Sequence, residues 1–249
     1  MKKIILLFVA MMLMVSFAGQ AMAAFDEGDL IRVVYSGTGA GTEYATDLGA
    51  FSASAPLTTN VAFNTDTFSL SKLGSGATLA NTNVAYFILS NTANGGNGSA
   101  YASGPANAGN INPYAFWGSF SPAAGSTLDT YRGAAVGNNA TVAQTGTYSY
   151  WNMMNGGGTM IGTMGNYLAS GDAEKNLGAL ATSSYVDQVL YYYGSDPSSG
   201  AQGTSIATIR TFADGSTQLV AQATPIPAAI YLFGSGLMGL VGLRRKTVA

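Results

Sequence analysis

Short apolar and aromatic runs recur along this chain between clusters of Gly, Ser, Thr, Asn and Asp, which is how an all-β domain is written. Leu30-Ile31-Arg32-Val33-Val34-Tyr35 predicts a strand, residues 36–41 a flexible connection and residues 42–48 its partner. Val84-Ala85-Tyr86-Phe87-Ile88-Leu89 is continuous and bulky, so it predicts a strand covered on both faces. Residues 91–98 then close it with loop chemistry.

Further on, Tyr114-Ala115-Phe116-Trp117 and Tyr148-Ser149-Tyr150-Trp151 predict short aromatic strands, and residues 186–193 a longer one. Residues 206–212 and 216–221 flank Ala213-Asp214-Gly215, and Asp-Gly between two β-rich runs is a strong hairpin signal. A short helix is expected over residues 172–177, with Ser170 or Asp172 as cap and Gly178 as stop. A second is expected over residues 126–135. Residues 158–165 repeat a Gly-Thr-Met unit, too few copies for a solenoid, and read as a glycine-rich turn or strand. The sum is a mainly β fold, a β-sandwich or jelly-roll-like domain with minor helices. An outer-membrane barrel is disfavoured, because its strands recur as runs of about ten residues and these are shorter and uneven.

The two ends have a different pattern. Lys2 and Lys3 precede an apolar stretch over residues 4–18, and Ala21-Met22-Ala23 supplies the small residues of a signal-peptidase site, so cleavage is expected between Ala23 and Ala24. At the other end, Thr224-Pro225-Ile226-Pro227 is followed by an apolar run over residues 228–243 and by Arg244-Arg245-Lys246. That run is near the lower length limit for a membrane helix, and the basic stop stays cytoplasmic by the positive-inside rule. Pro225 and Pro227 keep the junction extended and accessible. The expected organisation is a signal peptide over 1–23, an exported β-rich domain over 24–223 and a tail over 224–249 with one transmembrane helix.

Removing both ends changes the charge picture. Arg32, Lys72, Arg132, Lys175 and Arg210 then stand against all twelve acids of the chain, a net charge of −7. Phosphate binding needs clustered Lys and Arg, so nucleic acid is excluded as a partner. The chain has no cysteine and no histidine. Zinc and copper sites on imidazole or thiolate are therefore excluded, as are the Ser-His-Asp and Cys-His devices. A non-enzymatic role is the expectation, with no catalytic residue, metal or cofactor assigned.

The remaining candidates are weak. Asp26, Glu27 and Asp29 could offer oxygen ligands to calcium, but their spacing lacks the twelve-residue EF-hand pattern, and a solvated acidic segment is the simpler reading. Asp187, Asp196 and Asp214 carry no motif that would pair them for acid and base work. Tyr191-Tyr192-Tyr193 with Trp117 and Trp151 could form a sugar platform. In a strand, however, Tyr191 and Tyr193 share one face while Tyr192 points away, which favours core packing. Asn97-Gly98-Ser99 and Asn139-Ala140-Thr141 match the glycosylation sequon, as an Asn-rich chain does by chance.

Pro225-Ile226-Pro227-Ala228, the Gly- and Leu-rich span and the stop Arg244-Arg245-Lys246 resemble the PEP-CTERM sorting signal, in its VPLPA-type variant. The resemblance covers the last tenth of the chain. It implies export, transient tethering to the inner membrane and processing by an exosortase in a Gram-negative bacterium that makes extracellular polysaccharide. Ile226 stands where the namesake motif has glutamate, which implies an exosortase that accepts the Pro-aliphatic-Pro form. The function implied is that of a surface or extracellular-matrix protein, structural or adhesive, with polysaccharide as a possible partner. The alternative is a secreted glycan-binding module or carbohydrate-active enzyme carrying the same tail.

Overall fold

In the computed structural model, which describes residues 24–37, 41–63, 67–90, 98–106, 120–157, 173–194 and 203–222, the alternating runs become antiparallel strands. They are β1 (Asp29–Ser36), β2 (Thr42–Ala50), β3 (Val61–Phe63), β4 (Thr82–Leu89), β5 (Ala100–Gly104) and β6 (Ala135–Val136). They continue with β7 (Asn139–Ala143), β8 (Lys175–Asn176), β9 (Tyr185–Tyr193), β10 (Thr204–Phe212) and β11 (Thr217–Val220). Two α-helices, α1 (Ser121–Ala134) and α2 (Tyr150–Met153), join them.

All the strands belong to one sheet, in the order β3-β11-β10-β9-β5-β4-β1-β2-β7-β6, with β8 added to β4. Strand β1 sits between β2 and β4, with Val33 opposite Ala45 on one side and Ala85 on the other. The expected sandwich of separate sheets is therefore one continuous sheet that curls. Side-chain reach proves the curl. Arg32 on β1 donates to the Gly215 carbonyl at 2.6 Å and to Thr217 Oγ1 at 3.1 Å, although β11 lies five strands away in the order. At about 4.8 Å per strand, a flat sheet would hold them roughly 24 Å apart.

Strand alternation makes two cores. Ile31, Val33 and Tyr35 of β1 and Ala85, Phe87 and Leu89 of β4 face outward from the curl, where Ala123, Ala124, Leu128 and Tyr131 of α1 cover them. Leu30 and Val34 of β1 and Val84, Tyr86 and Ile88 of β4 face inward, against Leu190, Ile206, Ile209 and Leu219. Strand β4 is consequently buried along its whole length, as its unbroken apolar run predicts. Each large side chain buried there contributes about 1.5–3 kcal/mol.

Strands β1, β2 and β9 and the β10–β11 hairpin match the sequence pattern, and the helix expected over residues 126–135 is realised as the longer α1, with a proline in its first turn. Two expectations are corrected. Tyr148-Ser149-Tyr150-Trp151 is not a strand: Ser149 caps α2, its hydroxyl accepting from the Asn152 N–H at 3.2 Å. The helix expected over residues 172–177 is replaced by β8. There Asn176 Nδ2 donates to Asn83 Oδ1 at 3.1 Å and the Leu177 N–H to the Thr82 carbonyl at 2.8 Å. Pairing with the stretch of β4 that β5 does not reach outweighs weak local helix propensity. Gly178, expected to end a helix, instead begins a 3-10 turn, Gly178–Ala181.

Among the described residues, no helix is long and apolar enough to cross a membrane. The expected signal peptide, the loop over 91–97, the aromatic run 114–117, the Gly-Thr-Met unit and the sorting tail with its transmembrane helix lie outside the described residues.

Candidate functional site

A group of buried polar side chains lies on the face that α1 and α2 cover. On β2, alternation turns Glu43 to the same side as Ala45, toward α1 and α2. Its side chain is fully buried. Oε1 accepts from the Tyr131 hydroxyl at 2.6 Å and from the Tyr150 N–H at 2.7 Å, and Oε2 accepts from the Trp151 N–H at 3.0 Å. One carboxylate thus supplies acceptors to the first turn of α2, whose N–H groups have no partner within the helix. Burial pushes the Glu43 carboxyl up to about 7, against the opposing pull of the Tyr131 hydroxyl and the Trp151 and Tyr150 N–H groups.

Tyr150 extends the network. Its hydroxyl donates to Glu174 Oε1 at 2.6 Å, and its ring lies 5.7 Å from Tyr35 and 6.2 Å from Phe87. Tyr35 in turn meets Trp151 edge-on at 5.5 Å and accepts from Asn155 Nδ2 at 2.9 Å. Burial, then the charges of Glu43 and Glu174, hold the Tyr131 and Tyr150 phenols well above their usual range, so both remain protonated donors. This is acid–phenol chemistry without an entrance: Glu43, Tyr131 and Tyr150 are all sealed.

A second group gathers where the described chain begins. Phe25 is fully buried, its ring 5.4 Å from Tyr131, and its N–H donates to Asp47 Oδ2 at 2.7 Å while its carbonyl accepts from Arg132 Nη2 at 2.9 Å. It is held at φ 68°, a left-handed backbone that costs a side-chain-bearing residue about 1–2 kcal/mol. Asp47 Oδ1 accepts from the Gly49 N–H, and Asp29 Oδ2 from the Asp26 N–H. Partial burial, then the nearby Asp47 carboxylate, raise the Asp29 carboxyl to about 7.

The acids considered for calcium fall here. Asp26 meets Arg132 at 3.7 Å and holds its N–H on Asp29, and no set of three or more acidic or other ligating groups arranged for a metal occurs among the described residues. Two clefts flank the segment. One of about 200 Å³ lies between Glu27 and the Ser121, Pro122 and Asp129 side of α1. The other, of about 260 Å³, is lined by Phe51, Ser52, Ser90, Ser99 and Tyr101. In it the Tyr101 hydroxyl is fixed by the Ala53 N–H at 2.9 Å and carbonyl at 3.2 Å, and Phe51 meets Tyr101 edge-on at 5.6 Å.

The acids considered for catalysis are not brought together. Asp187 accepts two hydrogen bonds from Arg210, at 2.8 and 2.9 Å, whose guanidinium lies 3.6 Å over the Tyr185 ring. Asp214 accepts from the Ser216 N–H and hydroxyl, which pull its carboxyl below the usual range and close the hairpin turn. Asp196 lies outside the described residues. The aromatic platform also dissolves: Tyr191, Tyr193 and Trp151 pack in the outer core, while Tyr192 turns inward against Tyr101 at 5.0 Å. Trp117 and Asn97 lie outside the described residues, and Asn139 accepts from Thr46 Oγ1 at 3.0 Å within β7.

Sequence reasoning missed Glu43, Asp47 and Glu174. A signal existed for Glu43, a carboxylate in step with Ala45 on a strand predicted to pack, which requires a buried partner. No family model, curated protein or solved structure matches the chain.

Proposed function

We propose that this chain is an exported surface or extracellular-matrix protein of structural or adhesive type, delivered by a cleaved signal peptide and sorted through its tail by an exosortase. The body between the two signals is then the cargo. The observation that supports a structural body is how its acids are used: Glu43 holds α2, Asp47 holds the N-terminal segment, Asp187 pairs with Arg210 and Asp214 closes a turn. Most glycoside hydrolases use two carboxyl groups flanking the scissile bond, roughly 5–9.5 Å apart. These four are spread over separate elements, each occupied by local partners. The tail reading rests on Pro225-Ile226-Pro227-Ala228, the apolar run and the stop Arg244-Arg245-Lys246.

Intact mass and C-terminal sequencing of the protein recovered outside the cell test this. The expected chain begins at Ala24 and lacks Arg244 to Ala249; recovery of material that still ends at Ala249 sinks exosortase processing and leaves a membrane anchor.

A glycan-binding role within that setting is favoured by the cleft beside Phe51. An aromatic ring and three serines can give a sugar a ring to pack on and hydroxyls to bond. Affinity electrophoresis through extracellular polysaccharide should retard the protein, and Phe51→Ala should abolish the retardation. Turnover of the polysaccharide that one Asp substitution removes would instead establish an enzyme.

A further inference from the structure

The segment immediately after the expected cleavage point is built into the fold. Ala24 is 9% exposed and Phe25 fully buried, and both belong to the outer core with Tyr131 of α1. The Phe25 backbone is held from both sides, N–H on Asp47 and carbonyl on Arg132. The Gly28 N–H then donates to the Leu89 carbonyl and the Phe51 N–H to the Gly28 carbonyl, which fixes the segment along the strand ends. Chain geometry puts the amino nitrogen of Ala24 within roughly 6–7 Å of Asp47 Oδ2, one residue on from a 2.7 Å contact.

The charges around that point are unbalanced. Asp26, Glu27 and Asp29 come from the segment itself, Asp47 from β2, and Asp129, Tyr131 and Arg132 from α1. Arg132 is shared between Asp129 at 2.6 Å and Asp26 at 3.7 Å. Asp47 is met by the Phe25 and Gly49 N–H groups and Asp29 by the Asp26 N–H, and no Lys or Arg pairs with either carboxyl among the described residues. A positive charge beside the two carboxyls would favour the ionised form of Asp29.

We propose that signal-peptide removal supplies that charge: the new α-ammonium of Ala24 pairs with Asp47 and Asp29, so that cleavage completes the fold of the exported domain. This inference rests on cleavage between Ala23 and Ala24. An uncleaved chain has an uncharged amide at that nitrogen, and the signal peptide must leave the body through a residue that is packed in the core. Processing therefore changes the stability of the domain as well as its location.

The test uses the exported protein itself. N-terminal sequencing establishes where it begins, and reductive methylation with 13C, which keeps the amine charged, follows its titration by NMR. The expected result is an N-terminus at Ala24 whose amine titrates at least about one unit above the usual 7.7–8.0. Selective acetylation of that amine should lower Tm at pH 7 by about 2–4 °C, and Asp47→Asn should remove the difference. An N-terminus elsewhere overturns the cleavage reading and the pairing with it. An N-terminus at Ala24 with an ordinary titration, and no change in Tm on acetylation, overturns the pairing alone. Because the titration needs no mutation, it decides the matter even if Asp47→Asn fails to fold.

Discussion

Glu43 joins three elements, since β2, α1 and α2 meet at its two oxygens. In Glu43→Gln the new amide cannot accept from the Tyr150 and Trp151 N–H groups through both of its ends. One buried donor is left without a partner, and a loss of about 1–3 kcal/mol is expected in urea unfolding. The same residue sets a pH dependence. Its carboxyl lies at about 7 in the fold against an ordinary 4.5, so between those values the folded state binds more protons than the unfolded one. The stabilisation that protonation of Glu43 contributes is complete below pH 4.5 and is lost as pH rises through about 7. Thermal melts should show Tm falling over this window, and Glu43→Gln, which cannot ionise, should flatten that slope. A Tm that rises across the same window in both proteins would refute it. The sequence reveals the strand that carries Glu43; the two helices that meet its oxygens are remote in the chain.

Strand β1 and the β10–β11 hairpin hold the curl through a small set of contacts. Arg32 reaches Gly215, Thr217 and Thr46, its guanidinium 5.5 Å from the Phe68 ring, while the Tyr86 hydroxyl bonds Thr211 at 2.6 Å and Thr217 at 3.1 Å. Arg32→Ala removes the donors, strands buried acceptors and leaves a cavity, and an unfolding loss of roughly 3–5 kcal/mol is expected. Gly215 is the other half of the joint. Its φ is +84°, and a Cβ there would stand 2.6 Å from the Phe68 carbonyl oxygen. Gly215→Ala should cost at least about 1–2 kcal/mol from the left-handed backbone alone, and more as Phe68 is displaced. Amide exchange should respond regionally: protection at Leu219 and Ile209 falls in either variant, while β7 keeps its own. Asp-Gly announces this turn in the sequence. Its docking on β1 does not show there, because nothing local links residue 215 to residue 32.

At the scale of the whole molecule, the strands and both cores are described within residues 24–222. Deletion of residues 224–249 should therefore leave the far-UV circular dichroism and Tm of the body unchanged while altering where the protein is recovered. A coincident loss of structure would show that the tail belongs to the fold. The chain by itself determined the β class, the long strands, the double-sided burial of β4, the hairpin at Asp214-Gly215, and the absence of thiol and imidazole chemistry. These follow from side-chain type and period-two spacing, which act within a few residues. Short strands such as β5 and β7 escaped, because Ala, Ser, Gly and Asn carry little strand preference until a neighbour pairs with them. Tyr148-Ser149-Tyr150-Trp151 became a cap and a helical turn for the same reason in reverse: Glu43, more than a hundred residues away, offered its N–H groups better acceptors than a strand partner would. Only the tertiary structure decided that one sheet curls on itself, that Asp29 and Asp47 lie close together on neighbouring strands, and that Phe25 anchors the first described residues. Each of those depends on contacts between residues distant in sequence, whose energies are set by burial and charge in the assembled fold.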